Sequence, residues 1–270
     1  MMKKNLRLFA LIFVLAIAMV SCGQKPQASS DDPFAEVKER GKLILATSAD
    51  YPPYEFKSLK DGKETYAGFD IAMAQYMADK IGVELEIRDM EFKNVIGAVT
   101  SGMADIGIAG ISPKADRTEV LFSDIYYQAT HGALVRKADL DKYKSEDDLK
   151  SKKIGVQIGS IQEDMAKKIE GADVVSLPLV TTLIQELKTK KVDAIIVEKP
   201  VGEAFAKVHD DLAMAEGIEL IDPDGGSAIA INKEKPAFRD AINELIKEIK
   251  EKNLFENWVV EAHKAADEAQ

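Results

Sequence analysis

The chain has a single cysteine in 270 residues, Cys22. An intramolecular disulfide is therefore excluded, and stability must come from a buried core. Histidine is nearly as scarce. His131, His209 and His263 stand at unrelated places, so they form neither a metal-spaced cluster nor a Cys–His nucleophile pair, and no cofactor or metal is implied. Cations are also in short supply: 36 Lys and Arg stand against 46 Asp and Glu, a formal charge of −10. That balance argues against nucleic acid as a partner, because such partners call for basic surface. No apolar stretch reaches the length a membrane-spanning helix needs; the run Leu8–Val20 has thirteen residues.

What is present begins with that run. Lys3, Lys4 and Arg7 precede it and Ser21-Cys22-Gly23 follows it, which are the marks of a secretory signal peptide. A cysteine immediately after the run resembles a bacterial lipoprotein signal. The expectation is cleavage after residue 21 and lipid on Cys22, although Met19 stands where that pattern prefers Leu. An unlipidated secretory signal is the alternative. Residues 22–33 are polar, contain Pro and Ser, lack periodicity, and read as a flexible tether.

Beyond the tether the chain alternates between strand and helix patterns. Leu43–Thr47, Val83–Ile87 and Asp105–Ile111 are predicted strands, with helices over Phe69–Ile81 and Asn94–Thr100. A second series follows: strands at Ile154–Ile158, Val174–Leu177 and Val192–Val197, helices at Ile161–Ile169 and Leu179–Lys188, and another from about Val201. A long charged helix is predicted from Pro236 to roughly Lys252. Such alternation implies mostly parallel sheets flanked by helices, an α/β fold. The two series look like copies, since residues 95–110 and 183–198 each read helix, turn, Asp, apolar strand. Asp105 then matches Asp193, and Gly110 matches Glu198. Two lobes follow, and ligands of open α/β sheets sit beyond the carboxyl ends of strands.

The polar groups at those strand ends suit a free amino acid, whose carboxylate and ammonium are too costly to bury unpaired. Arg117 comes five residues after Ser112. Ser112 and Pro113 suit a helix start, so 113–117 is predicted as a short helical turn that swings the guanidinium over the strand end; a surface arginine paired with Asp116 or Glu119 is the plain alternative. In G-V-Q-I-G-S-I-Q-E-D, residues 155–164, Ser160 and Glu163 form a capping-box pattern, and the helix start at Ile161 offers backbone N–H groups to an anion. Glu198 is a carboxylate at a strand mouth, either a ligand acceptor or a partner of Lys199. The loop T-S-A-D-Y-P-P-Y-E-F, residues 47–56, presents Tyr51 and Tyr54, and Phe92 can face one of them; lobe-core packing is the alternative, and the expectation for Tyr54 and Phe56.

Taken together, D-Y-P-P-Y-E-F, G-F-D-I-A-M-A, A-D-I-G-I-A-G-I-S-P-K-A-D-R, F-S-D-I-Y-Y, G-V-Q-I-G-S-I-Q-E and V-D-A-I-I-V-E-K-P resemble the family 3 extracellular solute-binding proteins, the polar-amino-acid receptors of bacterial ABC importers. The resemblance runs from about Leu43 to Trp258. It implies a two-lobe, clam-like fold with crossovers near His131–Val135 and Gly225–Ile231. Lobe 1 would then comprise residues 34–131 and 226–262, lobe 2 residues 132–225, with a tail at 263–270. Carried over by position, Arg117 and the backbone at Ser112 and Ile161 would hold the ligand carboxylate. Glu198 and the Gly110 carbonyl would hold the ammonium, with Tyr51 and Phe92 flanking the side chain; Ser160, at the helix start before Ile161, is also counted among the ligand-binding residues.

Three departures bear on selectivity. Ser48 stands where well-known basic-amino-acid binders have an acid, Gln157 stands where they have an apolar residue, and the segment Arg117–Phe122 is one residue short. Asp50 can supply the missing negative charge. The resemblance thus implies an extracytoplasmic, monomeric, lipid-anchored receptor that is not an enzyme. It would pass a polar amino acid, with a lean to Arg, Lys or His, to a membrane permease. A cyclohexadienyl-dehydratase-like enzyme on the same fold, or an amino-acid sensor or adhesin, are the rival readings.

Overall fold

A computed structural model of the chain describes residues 32–60, 62–222 and 225–269. The predicted signal peptide, Cys22 and the tether up to residue 31 lie outside the described residues. After a short helix α1 (Ala35–Arg40), lobe 1 is built on a sheet of β1 (Lys42–Thr47), β5 (Glu84–Asp89), β6 (Ile106–Gly107), β7 (Val120–Phe122) and β13 (Ala230–Asn232), in the order β5-β1-β6-β13-β7. Helices α2 (Phe69–Ile81) and α3 (Phe92–Thr100) cover it. Lobe 2 has the order β10-β9-β11-β8-β12, from β8 (His131–Arg136), β9 (Lys153–Gln157), β10 (Asp173–Leu177), β11 (Ala194–Glu198) and β12 (Leu212–Met214). Its helices are α4 (Ile161–Lys167), α5 (Val180–Lys188) and α6 (Lys199–Val208).

Each sheet has a parallel core of three strands, β5-β1-β6 and β10-β9-β11. The antiparallel strands are those next to the crossovers: β7 and β13 in lobe 1, β8 and β12 in lobe 2. The two crossing segments run beside each other. Tyr126 N–H donates to Ser227 O at 2.9 Å and Ser227 N–H to Tyr127 O at 2.8 Å; His131 and Leu220 exchange backbone bonds at 3.0 and 2.9 Å. The crossing therefore begins before His131, which already belongs to β8 in lobe 2. A third sheet, β2 (Asp50–Tyr51), β3 (Glu55–Lys60) and β4 (Lys63–Ala67), is antiparallel and carries the loop with the two prolines.

The internal copy is real at the atomic level. Asp105 Oδ2 accepts from Ile44 N–H at 2.8 Å, and Asp193 Oδ2 accepts from Lys153 N–H at 3.0 Å. In both lobes an aspartate ahead of the third parallel strand thus binds the backbone of the first, at equivalent register positions.

Helices form where apolar residues recur at helical spacing. In α2, Ile71, Ala74, Met77, Ala78 and Ile81 are all buried. One apolar cluster runs from Leu45 and Phe69 in lobe 1 through Tyr126 and Phe255 to Leu134, Leu183 and Phe205 in lobe 2. Separate clusters cover the other face of each sheet. The long helix α7 (Pro236–Glu251) follows β13. After it, α8 (Leu254–Ala269) remains helical to residue 269, so the predicted tail at 263–270 is mostly helix. Nor does α8 belong to lobe 1 alone. Phe255 packs edge-on against Phe69 of lobe 1, ring centres 5.2 Å apart, while Asp267 pairs with Lys207 on α6 of lobe 2. Among the described residues no helix is long and apolar enough to cross a membrane.

Candidate functional site

The carboxyl ends of β6 and β9 face each other across the lobes. Around one narrow cavity between them stand Tyr51, Phe92, Gly110, Ser112, Arg117, Gln157, Ser160 and Ile161, eight of the predicted site residues, together with Ala109 and Gln162. The free room inside is only about 10 Å³ for the centre of a water-sized sphere. That is roughly the room of one water, so the walls must part for an amino acid to enter.

Arg117 reaches the cavity by a route other than the predicted one. Residues 114–117 form a tight turn, with Arg117 N–H donating to Lys114 O at 3.0 Å, and no helical turn occurs. The reason is local. Ser112 O, which would accept from the fourth residue on in a helix, takes the Arg117 guanidinium at 2.5 Å instead. Its Nη2 donates across the cleft to Gly159 O at 2.8 Å, and its carbon lies 5.9 Å from the centre of the Phe92 ring. Phe92 is the first residue of α3, and it supports Arg117 by a cation–π contact while it lines the cavity. Arg117 has no acidic partner among the described residues; Lys114 takes Asp116 and, across the cleft, Asp164 at 2.5 Å. Burial holds the Arg117 pKa below its ordinary value.

From lobe 2, Ser160 caps α4 by accepting from Glu163 N–H at 3.2 Å. Glu163 returns its bond to Gly159 N–H at 2.6 Å, not to Ser160 as a standard box would. This shift tightens the turn that presents Gly159 O to Arg117.

The three remaining predicted residues stand behind the walls. Glu198 ends β11 and is buried, and Tyr54 donates its hydroxyl proton to the Glu198 carboxylate. Glu198 N–H in turn donates to Tyr51 Oη at 3.3 Å. Lys199 does not pair with it, because that ammonium holds Glu219 at 3.1 Å. Burial without a cationic partner pushes the Glu198 pKa up to about 8. Asp50 accepts from Val180 N–H at 2.5 Å, and thus caps α5 of the opposite lobe, where the residue before the helix is Leu179. Ser48 Oγ and Gln157 Nε2 also donate to Asp50, at 3.3 and 3.4 Å. Burial raises the Asp50 pKa to about 6. Beyond Asp50 a roomier crevice opens between the lobes, lined on one side by Asp89 and Met90 and on the other by Thr181 and Phe205.

Sequence reasoning missed Gln162. It lies on the inner face of α4, where its Nε2 sits 3.3 Å from Tyr51 Oη and 3.2 Å from His131 Nδ1. The only signal was its place two residues after the cap. His131 is buried, and burial lowers its pKa to about 4, so it is a neutral hydrogen-bonding partner. Among the described residues no group of side chains is arranged to hold a metal ion.

Similarity to known proteins identifies the family. The model of the bacterial extracellular solute-binding proteins, family 3, matches residues 43–261. The arginine-binding extracellular protein ArtP of Bacillus subtilis is 35% identical over 249 residues, covering 90% of this chain and 91% of that protein. The L-cystine-binding protein TcyJ of Escherichia coli is 30% identical over 92% of this chain and 94% of its own. Among solved structures, the amino acid ABC transporter substrate-binding protein AbpA of Streptococcus pneumoniae, bound to L-arginine, superposes with a TM-score of 0.82 at 39% identity. That match covers 86% of this chain and 98% of AbpA. All three are named as binding proteins, not as enzymes. The two-lobe architecture, the family model and these relatives together show that the chain belongs to the bacterial extracellular solute-binding proteins, family 3, and works outside the cytoplasm.

Proposed function

We propose that the protein is the receptor of an amino-acid ABC importer, and that it closes its two lobes on a basic amino acid, arginine first. One observation carries the reading: Arg117 of lobe 1 and the α4 start of lobe 2 line the same cavity, with two buried carboxylates, Glu198 and Asp50, directly behind its walls. The ligand carboxylate takes Arg117 in place of Gly159 O, together with the backbone at Ser112 and Ile161. The ligand ammonium takes the Gly110 carbonyl and the Glu198 carboxylate, which has no cationic partner among the described residues. Tyr51 and Phe92 flank the side chain. Asp50, with Ser48 and Gln157 around it, supplies the acceptor for a cationic tip. The ArtP and AbpA names support arginine over the other basic amino acids.

Because the ligand bonds to both lobes, it favours the closed state by its differential contacts. The closed, monomeric receptor then docks on a membrane permease, with lipid on Cys22 keeping it near the membrane; stable anchoring takes more than one acyl chain. A thermal-shift panel of the twenty amino acids and cystine tests the ligand, since only a compound preferring the folded form raises the melting temperature. L-Arginine is expected to lead. A panel led by cystine, glutamate or aspartate overturns the basic-ligand reading, and a panel without any shift overturns the receptor reading.

A further inference from the structure

Beneath the site lies a pair of carboxyl groups that ligand contact does not explain. Glu55 on β3 and Asp70 in the first turn of α2 both have no solvent exposure. Their side chains lie against each other. Asp70 Oδ2 accepts from Gly110 N–H at 3.1 Å and from the Tyr126 hydroxyl at 2.9 Å. Asp70 Oδ1 and both oxygens of Glu55 meet no donor among the described residues.

Two ionised carboxylates offer acceptors only, so three buried oxygens without donors cannot all stay unmet. A single proton between the groups resolves this, because a carboxylic acid donates one hydrogen bond and two like charges need not be buried together. Asp70 already accepts two hydrogen bonds, which favour its ionised form, so the proton belongs on Glu55. The other ionisable groups near Glu55 are Asp50, Asp89, Tyr51 and Tyr126, none of them cationic. Burial and the neighbouring Asp70 both raise the Glu55 pKa.

The pair is tied to both loops that floor the cavity. Gly110 sits in the left-handed region at φ +56°, against the rings of Tyr51 and Tyr54, and the bond from its N–H to Asp70 sets the direction of its own peptide. Asp70 N–H also donates to Tyr54 O at 2.9 Å, in the residue just before Glu55. We propose that Glu55 and Asp70 share one proton, Glu55 as the acid and Asp70 as its acceptor, and that this buried pair positions Gly110 and the Tyr51–Tyr54 loop for the ligand. Its ligand-directed half rests on the receptor reading above.

Infrared difference spectroscopy on the full chain at pH 8 tests the first half, because exposed carboxylates are then ionised. The spectrum of wild type minus Glu55→Gln should contain a carboxylic-acid C=O band. Glu198, near half-protonation at that pH, cancels in the difference. Calorimetry with L-arginine tests the second half. Glu55→Ala strands Asp70 Oδ1 and should weaken binding about tenfold or more, while Glu55→Gln, which restores a donor, should recover most of it. Absence of the acid band overturns proton sharing. Arginine binding by Glu55→Ala equal to wild type, or no rescue by Glu55→Gln, overturns the positioning role. If the alanine variant does not fold, the glutamine variant still decides both halves, since it must keep affinity while losing the band. A wild-type protein that binds no amino acid sinks the receptor reading and leaves the infrared result to judge the pair.

Discussion

Arg117 Nη2 donates to the carbonyl of Gly159, 2.8 Å away on the opposite lobe. The group proposed to grip the ligand carboxylate therefore gives its donors to two of the protein's own carbonyls, Ser112 O and Gly159 O. Exchange of a neutral carbonyl for a carboxylate strengthens the bond, since charge-assisted hydrogen bonds are roughly twice as strong as neutral ones. Removing the guanidinium removes that gain. Arg117→Ala is expected to lose about 2–5 kcal/mol of arginine affinity by calorimetry, with a melting temperature close to wild type; a variant that titrates unchanged excludes Arg117 from the site.

Glu198 predicts a pH dependence whose sign follows from its partners. Its folded-state pKa is raised from 4.5 to about 8 by burial, so at neutral pH the ligand-free carboxyl is mostly protonated. An ammonium group requires the ionised form, so binding at pH 6–7 releases about one proton. Affinity should then climb about tenfold per pH unit up to about pH 8 and level off above it. Titrations in buffers of different ionisation enthalpy count that proton directly, and a count of zero refutes the pairing. Glu198→Gln should abolish the slope and cost about 2–5 kcal/mol. The same raised pKa works against the ligand-free fold: its share of stability is fully present below pH 4.5 and is lost as pH rises towards 8.

Gln162 is expected to hold the Tyr51 hydroxyl in place from α4. Gln162→Ala should cost about 1 kcal/mol of ligand affinity, the worth of an ordinary hydrogen bond. The melting point of the ligand-free protein is the control, because a larger loss there would make Gln162 a packing residue only.

Gly68 has no room for a side chain. A Cβ built on it would lie 2.0 Å from Tyr54 O, and its φ of +118° is a conformation that only glycine readily adopts. Gly68→Ala should lower stability by at least about 1–3 kcal/mol. In a protein of this size that is a fall of roughly 2–4 °C per kcal/mol, measured by calorimetric melting.

The fold was legible because periodicity is a property of the chain. Helix α2 and strands β5, β9 and β10 lie within a residue or two of their predicted bounds, and Asp105 and Asp193 make the same bond to the backbone of the first strand in each lobe. The cavity lining was legible in the same way, because strand ends of an α/β sheet point into the cleft. What pattern reading could not supply were choices between competing acceptors. Ser112 and Pro113 look like a helix start, yet the Ser112 carbonyl is claimed by a side chain five residues on. Asp50 looks like a ligand contact from its loop, yet its strongest bond is to the amide of Val180, 130 residues away. Tertiary partners of this kind leave no trace in local spacing. The end of α8 was missed for a related reason: the stretch from His263 is rich in charge, and Ala266 is its one buried position among the described residues.

That last helix has a mechanical consequence. With Phe255 seated among lobe 1 aromatics and Asp267 bonded to Lys207 of lobe 2, α8 bridges the two halves. Any swing that widens the mouth must shear this brace or carry it along with one half. The sixteen residues of α8 therefore restrain how far the jaws travel, and removing them is expected to let the two halves swing more freely.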